Sequence, residues 1–131
     1  MTNESSMTNK KYNIQERTLE FAAKVAQFVN LLPPNQIVNE YSKQLIRSSA
    51  SIGANIEEAD GTLSRRDFVN KIAIGRREAR ESMYWLSLMK KADLITKPRL
   101  LKEVDYLIGE AKEIMLILSS IVNKTQDKNK I

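Results

Sequence analysis

The segment from Gln44 to Ile95 constrains the fold most, because it contains three of the four glycines and most of the arginines. Apolar residues recur every three or four positions on both sides of Asp60 and Gly61, which predicts a helix, a tight turn and a longer helix. Ser64, followed three residues later by an aspartate, is a capping-box pattern for the start of the longer helix. We expect Gly61 to end the first of the two helices in the left-handed conformation that glycine tolerates.

The rest of the chain supplies one further helix on each side of this hairpin. Apolar residues spaced by three and four continue on both sides, and Pro33-Pro34 ends the first helix. The four predicted helices cover residues 14–32, 36–59, 64–92 and 98–122. Because every connection is short, the sequence predicts an all-α, antiparallel up-down-up-down four-helix bundle over residues 14–123. The polar ends predict a disordered N-terminal arm at 1–13 and a frayed basic tail at 124–131.

The second half of the second helix carries few large side chains. Small residues surround Ile52 there, including Ser48, Ser49 and Gly53. A glycine inside a helix costs about 0.5–1 kcal/mol relative to alanine, a cost that is accepted where another backbone must come close. A turn centred near Gly61 would place the two serines opposite Gly75, so that both glycine sites serve one close crossing.

The chain contains no histidine and no cysteine. This excludes a serine–histidine triad, a histidine-ligated metal site and thiolate chemistry. The four glutamates that could form a carboxylate cluster are interleaved with arginines, which disfavours a cation; they are Glu57, Glu58, Glu78 and Glu81. We therefore expect no enzyme activity, no cofactor, no metal and no small-molecule substrate.

No segment has the composition of a membrane span or a signal peptide. The longest apolar run, from Ile114 to Val122, has about nine residues, whereas a spanning helix needs about 20. The polar N-terminus lacks the apolar core of a secretory signal, and the absence of cysteine suits a reducing compartment. The sequence thus predicts a cytoplasmic protein that does not contact membranes.

The start of the third helix is strongly basic. Between Gly61 and Arg80, six basic residues face two acidic ones, which accounts for four of the five net positive charges. Phosphate groups are the ligands that such a cluster favours. We therefore predict a nucleic-acid interface formed by Arg65, Arg66, Arg76, Arg77 and Arg80. The alternative is an ordinary paired surface, with Glu57 and Glu58 neutralising the first two arginines and Arg77 bonded to Glu81.

The third and fourth helices carry more apolar surface than one core requires. Trp85 and Leu88 lie beside the main stripe of the third helix, and a second apolar row follows the fourth. One hypothesis is an oligomer interface formed by Trp85, Leu88, Leu107, Ile114 and Ile121. The alternative is that a single core takes up all of them. Asn55, Glu57 and Glu58 are expected to be structural, with Asn55 closing the end of the hairpin by hydrogen bonds.

Several motifs in this hairpin resemble a known family. They are RSSASIGANIEEA at 47–59, Ser64-Arg65 with Asp67-Phe68, Glu78-Ala79-Arg80-Glu81, and Tyr84-Trp85-Leu86. Their order resembles the 23S rRNA intervening-sequence (S23) family over about residues 12–122, and it is similar to the accessory proteins of diversity-generating retroelements. Arg76 and Gly75 depart from the family pattern, which usually has leucine and alanine there.

The resemblance implies a four-helix bundle that assembles with itself, as a ring-like homopentamer, and that has a tie to nucleic acid. It implies no activity and no catalytic residues. The expected function is therefore a non-enzymatic homo-oligomer that associates with RNA or DNA through arginines of the third helix. The alternative is a protein-interaction or scaffolding module with no nucleic-acid role.

Overall fold

Four α-helices account for nearly all of residues 13–129, the part of the chain that the computed structural model describes, with side chains described up to residue 126. They are α1 (Ile14–Asn30), α2 (Gln36–Asp60), α3 (Arg65–Lys91) and α4 (Pro98–Asn129). Within these residues no strand is present, and the predicted all-α class is confirmed. Helix α4 continues beyond the expected bundle limit at 123, and the predicted arm lies almost wholly outside the described residues.

The first three helices begin at side chains that accept hydrogen bonds from free backbone amides. Asn13 accepts from the Glu16 amide at 3.1 Å, and Asn35 accepts from the amides of Ile37 and Val38 at 2.8 and 3.2 Å. Such caps satisfy donors that the helix itself leaves without partners. The starts of α1 and α2 lie at the predicted residues, although the predicted disordered arm included the cap Asn13.

The helix ends differ from expectation at the glycine turn. Gly61 has φ −96°, so the predicted left-handed cap is wrong. The turn is closed instead by the Thr62 hydroxyl, which donates to the Ala59 carbonyl at 2.8 Å. The left-handed residue is Asp93 at the end of α3, with φ 58°. Its amide and that of Leu94 bond back into the last turn, in the arrangement of a Schellman motif.

Contacts between helices run in opposite directions along each neighbouring pair. From α2 to α3, Tyr41 meets Trp85 and Glu58 meets Lys71. From α1 to α4, Arg17 meets Glu110 and Lys24 meets Tyr106. From α3 to α4, Gly75 lies by Leu118 and Lys90 bonds Asp105. Each pair is thus antiparallel, which gives the predicted up-down-up-down bundle.

The register of α2 against α3 differs from the prediction. The Ser48 hydroxyl lies 2.8 Å from that of Ser82, not opposite Gly75. Four residues separate the two helices, and Ser64 is extended, with φ −119° and ψ 152°. This extended turn displaces α3 along α2, so that Gly75 lies against Ile52 and Ile56 instead.

The two glycine sites serve different contacts. A Cβ added at Gly53 would lie 3.2 Å from the Thr18 hydroxyl of α1. One added at Gly75 would lie 3.6 Å from the Ile52 carbonyl oxygen of α2. A second backbone comes close at both sites, since a Cβ at Gly53 would also lie 3.7 Å from the Thr18 carbonyl carbon. The approaching helix is α1 at Gly53 and α2 at Gly75, so the prediction of one shared crossing is wrong.

One apolar core fills the bundle. Its fully buried large side chains come from all four helices: Phe21, Val25, Phe28, Leu45, Ile52, Ile72, Leu86, Met89, Val104, Leu107, Ile114 and Leu118. Leu107 and Ile114 were predicted to face another subunit, and for these two residues that prediction is wrong. They lie on the inner stripe of α4, where a single chain already removes them from solvent.

A partly buried ion pair joins the short helix α1 to α4. The Arg17 guanidinium donates to both carboxylate oxygens of Glu110, at 2.7 and 2.9 Å. This hydrogen bonding raises the pKa of Arg17 above its ordinary value. One to two turns further along, the Lys24 ammonium donates to the Tyr106 hydroxyl at 3.1 Å. These contacts fix α1 in register with α4.

Candidate nucleic-acid interface

A basic stripe runs along the outer face of α3. Residues spaced alternately by four and three lie on one side of a helix. Starting from Arg66 and leaving out the half-buried Ala73, this spacing brings together exposed side chains over about seven helical turns: Arg66, Asn70, Arg77, Arg80, Tyr84, Ser87 and Lys91. We call these seven residues the α3 stripe. None of them is acidic.

Three of the five predicted arginines lie on the α3 stripe, and two do not. Arg66, Arg77 and Arg80 are exposed along it. Arg76 is half-buried on the side of α3 that faces α4, two heptads before Lys90, which bonds α4. Arg65 lies at the first residue of the helix, beside a shallow depression lined by Thr62, Ser64, Phe68 and Thr125.

Most carboxylates near the stripe are engaged elsewhere. Glu58 accepts from Lys71 at 2.5 Å, so this glutamate pairs with a cation about one and a half turns beyond the predicted partners Arg65 and Arg66. Glu57 points to the other side of α2, where it lines a groove against α1. Among the described residues, no carboxylate forms an ion pair within 4 Å of Arg66 or Arg80.

The predicted bond between Arg77 and Glu81 is not formed. Glu81 lies on the α2 side of α3 and reaches Arg47 of α2 at 4.0 Å. Arg77 instead lies 3.7 Å from a carboxylate oxygen of Glu78, while most of its own side chain stays in solvent. Both contacts are long and exposed on the arginine side, so they hold these cations only weakly.

The sequence analysis did not predict that Glu78 would be buried. Only 8% of its side chain is exposed, and its Oε1 atom has no hydrogen-bond partner in the described part of the chain. A buried carboxylate oxygen without a donor is unfavourable. The sequence position of Glu78 could have indicated its burial, because it lies seven residues from both Lys71 and Trp85, which face α2.

Asn55 has a structural role, but a more local one than predicted. Its side-chain amide donates to the Ser51 carbonyl at 2.8 Å and to the Ser51 hydroxyl at 3.1 Å, both within α2. It therefore does not close the hairpin, a task that Thr62 performs in the turn.

An aromatic cluster lies in the second half of the α3 stripe, around Tyr84. The ring of Trp85 is tilted against that of Tyr41, with centroids 5.7 Å apart. Tyr84 makes an edge contact with the same tryptophan at 5.2 Å, while 59% of its own surface remains exposed. Trp85, Leu88 and Ile121 are half-buried, so part of the predicted interface set remains available to a partner.

A mainly apolar groove of about 540 Å³ lies between α1 and α2. Its floor is made of small residues, Ala22, Ala50, Gly53 and Ala54, and Leu19 stands at its edge with 71% of its surface exposed. Sequence reasoning did not identify this groove, because it treated the small residues of α2 as a contact with α3 only.

A metal site or a membrane span would indicate a different kind of function. Among residues 13–126, no three acidic side chains lie close enough together to hold a metal ion. No helix in the described range is long and apolar enough to cross a bilayer.

The comparisons with known proteins agree with this architecture. A family model described as 23S rRNA-intervening sequence protein matches residues 10–120. The fold is similar to the crystal structure of a protein of unknown function from the S23 ribosomal protein family of Bacteroides thetaiotaomicron VPI-5482. The two share 36% identity with a TM-score of 0.70, over 83% of this chain and 97% of that one. Among curated proteins, no match is found.

Proposed function

The chain belongs to the 23S rRNA-intervening sequence protein family, and from this premise we propose that it is a non-enzymatic, homo-oligomeric bundle that binds RNA or DNA through phosphates. The observation that carries the proposal is the α3 stripe. Its four cations lie on one solvent-facing side of a single rigid helix, with no carboxylate among them. Such an arrangement matches the regular negative charge of a nucleic-acid backbone.

The electrostatic balance supports this assignment. The chain has 21 basic and 16 acidic residues, a net charge of +5. Most of this excess falls on α3, which carries eight basic and three acidic residues. The acids that reach α3 from neighbouring helices, Glu58 and Asp105, pair with Lys71 and Lys90, which lie off the stripe. A localised excess attracts a polyanion more strongly than the same charge spread over the surface.

Self-association would strengthen such binding. A pentamer, the assembly that the family resemblance implies, would carry five copies of the stripe. Contacts that are weak singly then act together on one long ligand. We propose this assembly as part of the function, with the cytoplasm as its location.

The test is a charge-neutralised triple variant, Arg66→Gln, Arg77→Gln and Arg80→Gln. We expect its affinity for a labelled RNA or DNA to fall at least tenfold near 0.1 M salt. The slope of log K against log salt should become shallower by about 2 to 3, since about one counterion is released per phosphate contact.

The matched control is Lys102→Gln, Lys112→Gln and Lys124→Gln on the exposed face of α4. It removes the same net charge from a different surface and should retain most of the affinity. Equal losses in the two variants, or wild-type protein that binds no nucleic acid at low salt, would contradict the proposal. A separate measurement of mass in solution tests the oligomer.

A further inference from the structure

We propose that the α3 stripe takes single-stranded nucleic acid, with Tyr84 stacking against an unpaired base. This inference rests on the proposed function, because it names the class of nucleic acid that the same stripe would bind. It starts from the position of Tyr84, which follows Arg77 and Arg80 by seven and four residues and precedes Lys91 by seven. These four side chains therefore share one face of the helix.

The spacing suits a strand that runs along α3. With a rise of about 1.5 Å per residue, Arg80 lies about 6 Å from Tyr84 along the axis, and Arg77 and Lys91 lie about 10 Å away on either side. Cations thus flank the ring in both directions. A strand whose phosphates contact them would carry a base past the tyrosine.

The ring of Tyr84 is both exposed and held in place. More than half of its surface is open to solvent. At the same time it makes an edge contact with Trp85 at an interplanar angle of 78°, and Trp85 itself is packed against Tyr41. Since an edge contact uses at most one face of the tyrosine, another face remains open. A ring already fixed by neighbours loses little conformational freedom when a base stacks on it.

An exposed ring among arginines favours a single strand over a duplex. In a duplex the base faces are covered by neighbouring bases, so a side chain on the outside meets only sugar, phosphate and base edges. Unpaired bases present their faces, and stacking on an aromatic ring is a principal source of single-strand affinity. Because every base has such a face, we expect little sequence preference.

The experiment compares wild type, Tyr84→Ala and Tyr84→Phe by fluorescence anisotropy. The probes are a labelled 20-nucleotide single strand without self-complementarity and a duplex of the same sequence. Tyr84→Ala should weaken single-strand binding about 5- to 100-fold, as loss of one stacked base does, while duplex binding changes less than about twofold. Tyr84→Phe should keep wild-type affinity. The control Tyr106→Ala removes an exposed tyrosine from α4 and should leave single-strand binding unchanged.

A second readout uses the unmodified protein. Trp85 is the single tryptophan of the chain and touches Tyr84, so stacking at the tyrosine should change its emission when the single strand is added but not when the duplex is. If Tyr84→Ala binds single strands as wild type does, while the triple arginine variant has lost affinity, the stacking inference is wrong and phosphate binding stands. If wild type binds neither probe, both proposals are wrong.

Discussion

At the scale of single residues, Glu78 combines features that rarely occur together in a stable fold. Its neighbour Arg77 is mostly solvated and lies 3.7 Å away, so the carboxylate is buried without a close partner. The second carboxylate oxygen has no donor among the described residues. Desolvation of a charge can exceed what a weak ion pair returns. We therefore expect Glu78 to lower the stability of a single chain.

Replacing this carboxylate by an apolar side chain of similar size should stabilise the chain. We expect Glu78→Met to raise the free energy of unfolding by about 1 kcal/mol or more, measured by urea denaturation. The control is Glu81→Gln, which alters a half-exposed glutamate on the next turn and should change stability by less than about 0.5 kcal/mol. A clear destabilisation by Glu78→Met would show that the carboxylate has a partner that one chain does not supply.

At the scale of helices, three glycines lie in helix interiors with different surroundings. A Cβ at Gly109 would meet nothing within 4 Å. One at Gly75 would make ordinary contacts, the nearest at 3.4 Å from Ile56. One at Gly53 would press on the Thr18 hydroxyl at 3.2 Å, and that hydroxyl is already bonded to the Ile14 and Gln15 carbonyls.

These surroundings predict an order of effects for alanine substitution. Gly109→Ala should raise the free energy of unfolding by about 0.5–1 kcal/mol, because only helix propensity changes. Gly75→Ala should give a similar or slightly smaller gain. Gly53→Ala should give no gain or a loss, since Thr18 must move. Chemical denaturation of the three variants tests the order, and a gain at Gly53 equal to that at Gly109 would contradict it.

The helices could be predicted from sequence, whereas their register could not. Caps such as Asn35 and Ser64 and the regular apolar spacing depend on neighbours along the chain, so they were readable locally. The pairing of Ser48 with Ser82 depends on the path of a four-residue turn, which small residues do not specify. The arginines could be identified from the sequence, but which of them are exposed could not. Only their positions around the folded helix show that Arg66, Arg77 and Arg80 are exposed, whereas Arg76 is half-buried.

At the scale of the whole molecule, the α3 stripe and the apolar groove lie on different faces of the bundle. The α3 stripe faces outward from α3, while the apolar groove lies between α1 and α2. Because α1 packs against α2 and α4, it lies diagonally across from α3. An assembly formed through the groove would leave each stripe open. This geometry makes self-association and phosphate binding compatible in one protein.

The groove also indicates which substitution should separate subunits without unfolding them. A charge at Ile114 would enter the core and unfold the chain, so it would say nothing about assembly. Leu19 is apolar, exposed and at the edge of the groove, so Leu19→Glu should be tolerated by the fold. Placed in an interface, the same carboxylate would be desolvated without a partner, which strongly disfavours association.

We therefore expect wild type to have a mass several times that of the 15.0 kDa chain in light scattering after size exclusion, and Leu19→Glu to have the mass of one chain. The helical content and melting temperature of Leu19→Glu should be those of a folded monomer. The control Leu63→Glu makes the same change at a fully exposed leucine in the α2–α3 turn and should keep the wild-type mass. A wild-type protein that is already monomeric would overturn the proposed assembly. If instead Leu19→Glu keeps the full mass, subunits meet elsewhere, and the half-buried Trp85, Leu88 and Ile121 become the surface to change next.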